Sequence, residues 1–165
     1  MQTSINSLAL SEIKKLKIKN KKIGLCHGVF DVLHPGHIIY LQEARKICDV
    51  LVVSLTSNSF IQKGPGRPLF NLEQRKLVIS SLSCVDFVLE SHSETAVEII
   101  NSIKPHFYIK GPDYKKIDIT RNLQKEINAI KKMKGRFVIT KGKVYSSSEY
   151  INSSFDIFNP KQKKS

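Results

Sequence analysis

The chain has 165 residues, which is enough for one domain with a single hydrophobic core. Hydrophobic residues make up 41% and charged residues 25% of the chain, as is usual for a globular protein. No apolar run approaches the roughly 20 residues that a membrane helix needs. The N-terminus also lacks the basic start and apolar stretch of a signal peptide. We therefore expect a cytoplasmic protein with no membrane insertion.

The net charge of the chain is +13. A basic surface attracts nucleotides, nucleic acids and anionic lipids. The excess is mostly lysine, densest at residues 14–22 and again at residues 161–164. It lacks the arginine-rich or aromatic motifs of nucleic-acid-binding modules. We therefore do not expect nucleic acid to be the partner.

Three cysteines, Cys26, Cys48 and Cys84, lie in or beside apolar stretches. An odd number in one domain argues against a disulfide framework. Their spacing does not match that of zinc ligands. We expect buried thiols and no metal ion held by the protein itself.

The predicted elements alternate between strands and helices along the chain. Residues 1–22 form a basic arm or an added helix. Apolar segments rich in β-branched residues predict five strands, at residues 23–30, 50–55, 86–89, 107–109 and 136–140.

Helix signals fill the gaps between these strands. Pro35 suits the first turn of a helix. Capping boxes are predicted where a polar residue is followed three positions later by Gln or Glu, at Asn71 with Gln74 and at Ser91 with Glu94. Apolar residues at helical spacing run through 96–103 and 123–130, and Ser146 predicts a last short helix.

Alternating strands and helices are typical of parallel βαβ units. We predict an α/β fold, a doubly wound, Rossmann-like sheet of five parallel strands with helices on both faces. Its main domain spans residues 23–155, followed by a C-terminal tail at 156–165. Such sheets bind ligands beyond the carboxyl ends of the strands, where the strand order reverses.

The segment from Gly28 to His37 follows the first strand and opens the first helix. His34 and His37 are three residues apart, so their rings are expected on one side of the helix start. Free amides and the positive end of the helix dipole lie beside them. Gly28 and Gly36 allow a ligand to approach the backbone closely. This combination suits a triphosphate, whose charge the imidazoles stabilise by hydrogen bonding.

This segment resembles the HxGH signature of the cytidylyltransferase-like nucleotidyltransferase superfamily. Its members include glycerol-3-phosphate and choline-phosphate cytidylyltransferases, pantetheine-phosphate adenylyltransferase and the adenylyltransferase domain of ADP-heptose synthase. Class I aminoacyl-tRNA synthetases carry a similar motif, but this chain is too small and lacks a KMSKS-like sequence.

Later segments are similar to the heptose-phosphate adenylyltransferase pattern. A lysine precedes a Gly/Arg-Pro loop at residues 63–68, and Gln74-Arg75 opens a helix. Residues 110–114 resemble the KGGDY stretch, with Pro112 as a departure. Residues 145–148 resemble the ISTT-type element that holds phosphates. The resemblance covers roughly residues 23–153.

The resemblance implies roles for individual residues. Catalysis would rest on His34, His37 and Lys63. The nucleotide would contact Gly28, Val29, Phe30, Gly36, Lys110, Gly111, Asp113, Ser146, Ser147 and Ser148. The second substrate would contact Asp31, Arg75 and Lys141, the last of which stands where glycerol-phosphate enzymes have arginine.

Some of these residues have structural alternatives. Lys63 could be an exposed loop lysine, Asp31 a brace for the motif loop and Arg75 a partner in an ordinary salt bridge. Arg75 lies in the first turn of a helix, where the positive end of the helix dipole disfavours a cation. This unfavourable position favours a ligand-binding role for Arg75.

The implied reaction transfers AMP or CMP from ATP or CTP to a phosphorylated acceptor and releases pyrophosphate. Heptose 1-phosphate with ATP and glycerol 3-phosphate with CTP are the leading pairs, for a surface polysaccharide or lipid precursor. Mg²⁺ would arrive on the NTP phosphates. Because the superfamily often forms dimers, a homodimer is also expected. The alternatives are a coenzyme-type adenylyltransferase and a non-catalytic nucleotide- or nucleic-acid-binding protein.

Overall fold

The computed structural model of the chain describes residues 2–61, 66–115 and 120–141. Three predicted features lie outside these residues: Lys63 with its Gly/Pro neighbours, the serine element with its helix at residues 145–149, and the tail at 156–165.

Five parallel strands form one sheet in the order β3-β2-β1-β4-β5. The strands are β1 (Ile23–Gly28), β2 (Val50–Thr56), β3 (Phe87–Ser91), β4 (Phe107–Lys110) and β5 (Arg136–Ile139). The helices are α1 (Gln2–Ile18), α2 (Pro35–Arg45), α3 (Leu72–Ser80), α4 (Val97–Ile103) and α5 (Arg121–Lys132). The predicted doubly wound five-stranded sheet is therefore confirmed.

The sheet is buried on both faces. In β2, Val50 and Val52 pack into one hydrophobic cluster, whereas Leu51 and Val53 pack into another. Successive side chains of a strand point to opposite faces, so an apolar run without alternation is what a strand covered on both sides requires. Helices α1, α4 and α5 supply the first cluster, and α2 and α3 supply the second.

The basic N-terminal segment is a helix that packs on the domain. Ile13 of α1 is fully buried in the core. The side chain of Asn6 pairs with the backbone of Glu90, donating to the carbonyl at 3.1 Å and accepting from the amide at 3.2 Å. Helix α1 therefore continues the core beside the edge strand β3.

One predicted helix cap is confirmed and the other is wrong. Asn71 and Gln74 form the capping box of α3. Ser91, by contrast, belongs to β3. Helix α4 begins after Ala96, whose methyl side chain cannot form a capping hydrogen bond. The Ala96 amide instead donates to the carboxylate of Glu126 at 2.8 Å. Glu126, 30 residues away in the sequence, takes the place of a local cap. The spacing of residues near Ala96 cannot predict such a distant partner.

Candidate active site

A cleft of about 200 Å³ lies at the carboxyl ends of β1 and β4. The chain leaves β1 toward β2 on one side, and β4 joins β1 on the other, so the strand order reverses here. Parallel sheets bind ligands at this position because loops diverge from it. The lining residues are His27, Gly28, Val29, Phe30, His34, Gly36, His37, Tyr40, Lys110, Gly111, Pro112, Asp113 and Tyr114.

His34 is the N-cap of α2 and lines the cleft. Its Nδ1 accepts a hydrogen bond from the Gly36 amide at 3.1 Å. In the neutral ring the proton must then sit on Nε2, which makes that atom a donor. Burial lowers the pKa of His34, although the Asp113 carboxylate acts in the opposite direction. His34 therefore favours the neutral form, with one nitrogen committed to the helix start.

His37 lies beside His34, with ring centroids 3.9 Å apart and an angle of 38° between the ring planes. Its backbone amide donates to the His34 carbonyl at 2.9 Å, which closes the first turn of α2. Pro35 fixes the backbone at the start of this turn. The prediction that the two rings share one side of the helix start is confirmed, and their catalytic role stays a prediction.

An aromatic wall, formed by Phe30 and Tyr40, lies beside His37. Phe30 has a left-handed backbone, with φ of 48°, and its ring centroid lies 5.3 Å from that of His37. A Cβ on Gly28 would approach the Phe30 ring to 3.1 Å, so the glycine leaves room for it. Phe30 is nearly parallel to Tyr40, whose hydroxyl donates to the Ile109 carbonyl at 2.6 Å. The wall thus joins the ends of β1 and β4.

The end of β4 forms the other side of the cleft. The Lys110 ammonium is buried and donates to the His27 carbonyl at 3.2 Å. It also lies 4.8 Å from the centroid of the Tyr114 ring. A Cβ on Gly111 would come within 2.6 Å of the Asp113 carboxylate. The predicted residues Lys110, Gly111 and Asp113 therefore all line the cleft, opposite the histidines.

Arg75 does not line the cleft in the described structure. Its side chain is 1% exposed. It donates to the carbonyls of Phe70, Val29 and Thr56 at 3.1, 2.7 and 3.0 Å, and to the Asn58 side chain at 2.6 Å. The guanidinium thus fastens the loop after β1 to the loops before α3 and after β2. This geometry favours a positioning role over the predicted substrate contact.

Asp31 and Lys141 also lie away from the cleft lining. The Asp31 carboxylate is buried and accepts from Arg67 Nε at 2.7 Å and from the Phe70 amide at 3.0 Å. Burial raises the pKa of Asp31, but these hydrogen bonds and the guanidinium charge hold it below its usual value. Asp31 therefore braces the loop at residues 67–70, just before α3. Lys141 is exposed just beyond β5.

The sequence did not identify Tyr40 as a site residue. It follows His37 by three positions, so it shares a helix face with that histidine, and this spacing is a signal that could have found it. His27 also lines the cleft. Its ring is hydrogen-bonded to Ser54 at 2.6 Å, and burial lowers the pKa of His27 to about 3. Burial and the bond to Ser54 thus keep His27 a neutral residue of the cleft floor's framework.

The part of the chain that the structure describes shows neither a cluster of metal ligands nor a membrane-spanning helix. There, no group of three or more His, Cys, Asp or Glu side chains is placed to hold a metal ion. None of the helices found in residues 2–61, 66–115 and 120–141 combines the length and apolar character of a membrane span.

The fold and the cleft together define a class, the α/β nucleotidyltransferases with an HxGH segment at the switch point of a parallel sheet. Within that class the chain belongs to the cytidylyltransferase-like family, whose model matches residues 25–153. The resemblance that the sequence predicted is thereby confirmed.

The chain is similar to curated proteins named bifunctional protein HldE. It is 37% identical over 149 residues to the one from Aliarcobacter butzleri, an alignment that covers 86% of this chain. It is 34% identical over 153 residues to the one from Helicobacter pylori, covering 91% of this chain. The alignments span 31% of the length of each of these relatives.

Two solved structures share the fold. A lipopolysaccharide core biosynthesis protein from Thermoplasma volcanium superposes with a TM-score of 0.63 at 28% identity, covering 75% of this chain and 99% of that one. A pantoate-beta-alanine ligase from Francisella tularensis has a TM-score of 0.57 at 16% identity, covering 92% and 74%. At that identity the second likeness concerns the fold alone.

Proposed function

We propose that this chain transfers AMP or CMP from ATP or CTP to a sugar phosphate or polyol phosphate and releases pyrophosphate. The observation that carries the proposal is the pair of adjacent imidazoles, His34 and His37, at the start of α2 in the switch-point cleft. Family membership and the similarity to a lipopolysaccharide core biosynthesis protein support it.

We assign the triphosphate to the α2 side of the cleft. Amides at a helix start and the positive end of the helix dipole favour bound phosphate. His34 offers an Nε2 proton there, because its Nδ1 is engaged by Gly36. We assign the nucleoside to the β4 side, where Lys110, Asp113 and Tyr114 supply charged, polar and aromatic contacts. Lys63 and the Ser146, Ser147 and Ser148 element would complete the phosphate contacts.

In the proposed reaction, an oxygen of the acceptor phosphate attacks the α-phosphorus of the NTP in line. A phosphorus–oxygen bond forms, and the bond from the α-phosphorus to the bridging oxygen breaks. Pyrophosphate leaves with that electron pair. No proton has to be removed from an ionised phosphate nucleophile. The work of the protein is therefore positioning and stabilisation of charge on the leaving group, by His34, His37 and Lys63.

Mg²⁺ would enter this reaction with the nucleotide. The ion prefers oxygen ligands and keeps several waters, so water and triphosphate oxygens together can supply most of its ligands. When bound, Mg²⁺ would neutralise charge on the phosphates.

Heptose 1-phosphate with ATP is our leading pair, since the segments at 63–68 and 110–114 resemble the heptose-phosphate pattern. Glycerol 3-phosphate with CTP comes next. We propose a role in surface polysaccharide precursor synthesis in the cytoplasm, with a homodimer as the expected assembly. A coenzyme-type adenylyltransferase and a non-catalytic nucleotide-binding protein are the alternatives that an assay must separate.

The test is pyrophosphate release with Mg·ATP and with Mg·CTP, each against heptose 1-phosphate, glycerol 3-phosphate, choline phosphate and phosphopantetheine. Signal with one sugar or polyol phosphate supports the proposal. Signal with phosphopantetheine alone would instead establish a coenzyme enzyme. Nucleotide binding without turnover on any acceptor would favour the non-catalytic alternative, and the absence of nucleotide binding would overturn the proposal.

A further inference from the structure

Glu126 of α5 is a buried acid that neither the sequence motifs nor the proposed reaction accounts for. Its side chain is 6% exposed. One carboxylate oxygen accepts from the Ala96 amide at 2.8 Å, and the other accepts from the Tyr108 hydroxyl at 2.7 Å. That second oxygen also lies 3.7 Å from the Lys110 ammonium. Glu126 therefore connects the start of α4 with the cleft residue Lys110.

Two of these three contacts do not require a negative charge. A backbone amide and a tyrosine hydroxyl are both satisfied by a neutral oxygen, and a hydroxyl can also accept from an amide. Burying a carboxylate is costly unless an opposite charge compensates it. Within the described residues, the charged group beside Glu126 is Lys110, itself 5% exposed. The charge of Glu126 is thus matched to Lys110.

Besides its contact with the Tyr114 ring, Lys110 has two polar contacts from different elements. The His27 carbonyl, at the end of β1, accepts one of its protons at 3.2 Å. Glu126 attracts the same ammonium from α5. Because β1 and β4 pair side by side, the two contacts fix the ammonium at the switch point where the cleft lies. An ammonium on a flexible stem has little positional preference of its own, so such anchors decide where it sits.

We propose that Glu126 is a positioning residue for nucleotide binding, which acts by holding the Lys110 ammonium in place in the cleft. The inference rests on the proposed function, because it takes the ligand of the cleft to be a nucleotide. With Glu126 as its partner, Lys110 contributes a directed hydrogen-bond donor and little net charge.

The test compares Glu126→Gln with Tyr108→Phe, each measured for affinity toward Mg·ATP and Mg·CTP and for melting temperature. Gln keeps the size of Glu and both neutral hydrogen bonds but lacks the charge. Tyr108→Phe removes a different partner of the same carboxylate. Both variants should melt at lower temperature. Glu126→Gln should bind nucleotide about tenfold more weakly, whereas Tyr108→Phe should bind it as the wild type does.

The dependence on Lys110 is tested in the Lys110→Met background. There Glu126→Gln should cause no further loss of affinity, since the group through which Glu126 acts is gone. The same loss in both backgrounds, or an equal loss in Tyr108→Phe, would show a general structural effect and overturn the inference. If Glu126→Gln alone does not fold, a weaker nucleotide affinity of the double variant than of Lys110→Met would overturn the inference, and equal affinities would support it.

Failure of the proposed function is detected with the wild-type protein, whereas failure of this inference is detected with the Glu126→Gln variant. If wild-type protein binds neither nucleotide, the proposed function is wrong and the role given to Glu126 falls with it. If wild-type protein binds nucleotide and Glu126→Gln binds it equally well, the inference alone is wrong.

Discussion

The imidazole rings of His34 and His37 lie 3.9 Å apart between centroids, and the Gly36 amide fixes the orientation of the first ring. One nitrogen of His34 therefore caps α2, and the proposed reaction uses the other as a hydrogen-bond donor to phosphate. The two roles can be separated by substitution.

His34→Asn should lower turnover strongly while leaving stability nearly unchanged. Asn accepts from a helix amide as a good N-cap does, so the change in unfolding free energy should stay below about 1 kcal/mol. Loss of the Nε2 donor should lower kcat by roughly 10²–10³. The measurements are pyrophosphate release and urea unfolding. His37→Ala should lower kcat by a similar factor.

The matched control is His92→Ala, since His92 is exposed and lies outside the cleft lining. Its turnover should stay within about twofold of the wild type. Unchanged turnover in His34→Asn and His37→Ala would remove both histidines from the proposed reaction.

Arg75→Lys should destabilise the protein. Lysine cannot reproduce the planar fork that reaches Val29, Thr56 and Phe70 together, and several buried carbonyls would lose their partners. We expect a loss of about 3 kcal/mol or more in the free energy of unfolding, measured with urea. Arg121→Lys, at an exposed position on α5, is the control and should change stability by less than about 0.5 kcal/mol.

The same variant separates the two roles considered for Arg75. A weaker affinity for the phosphorylated acceptor, with stability unchanged, would restore the substrate contact that the sequence predicted and contradict the positioning role.

The stability of the protein should depend on pH through His27. Burial lowers the pKa of His27 to about 3, whereas an unfolded histidine titrates near 6.5. Between these values the unfolded state binds one more proton, so stability falls as pH falls through this window, by about 1.4 kcal/mol per pH unit. Above pH 6.5 both states are neutral and this contribution vanishes.

His27→Gln removes the titrating ring, but the Gln side chain can still form hydrogen bonds with Ser54 and Thr56. Its unfolding free energy, measured by urea titration from pH 4.5 to 7, should show a slope smaller than the wild-type slope by about 1.4 kcal/mol per unit. Equal slopes in the two proteins would mean that His27 becomes protonated in the folded state.

Lys63→Ala should lower turnover without affecting stability. The resemblance gives this loop cation a role at the α-phosphate, where its charge would count most as pyrophosphate leaves. We expect kcat to fall roughly 10²-fold. Lys46→Ala, an exposed lysine at the end of α2, is the control of equal charge change. Equal turnover in the two variants would make Lys63 an ordinary surface lysine.

The local features of the chain could be predicted because neighbouring residues encode them. The Asn71–Gln74 capping box, the Pro35 helix start and the His34–His37 spacing all act within one helical turn. The uninterrupted apolar run of β2 implies a strand covered on both faces. Sequence also located the cleft, because the carboxyl ends of parallel strands share one edge of the sheet.

Contacts between distant segments could not be predicted in this way. The Arg75 guanidinium donates to the carbonyl of Val29, which is 46 residues away in the sequence. Glu126 accepts from the amide of Ala96 at the start of α4, which is 30 residues away. A buried guanidinium or carboxylate takes whichever partners the packed core brings within about 3 Å, and sequence spacing carries no such information. The sequence by itself determined the elements, the parallel sheet and the histidine pair. Only the tertiary structure decided that Arg75 and Asp31 hold the loops beside the cleft instead of facing it, because burial forces each charge to find a partner that folding alone brings near.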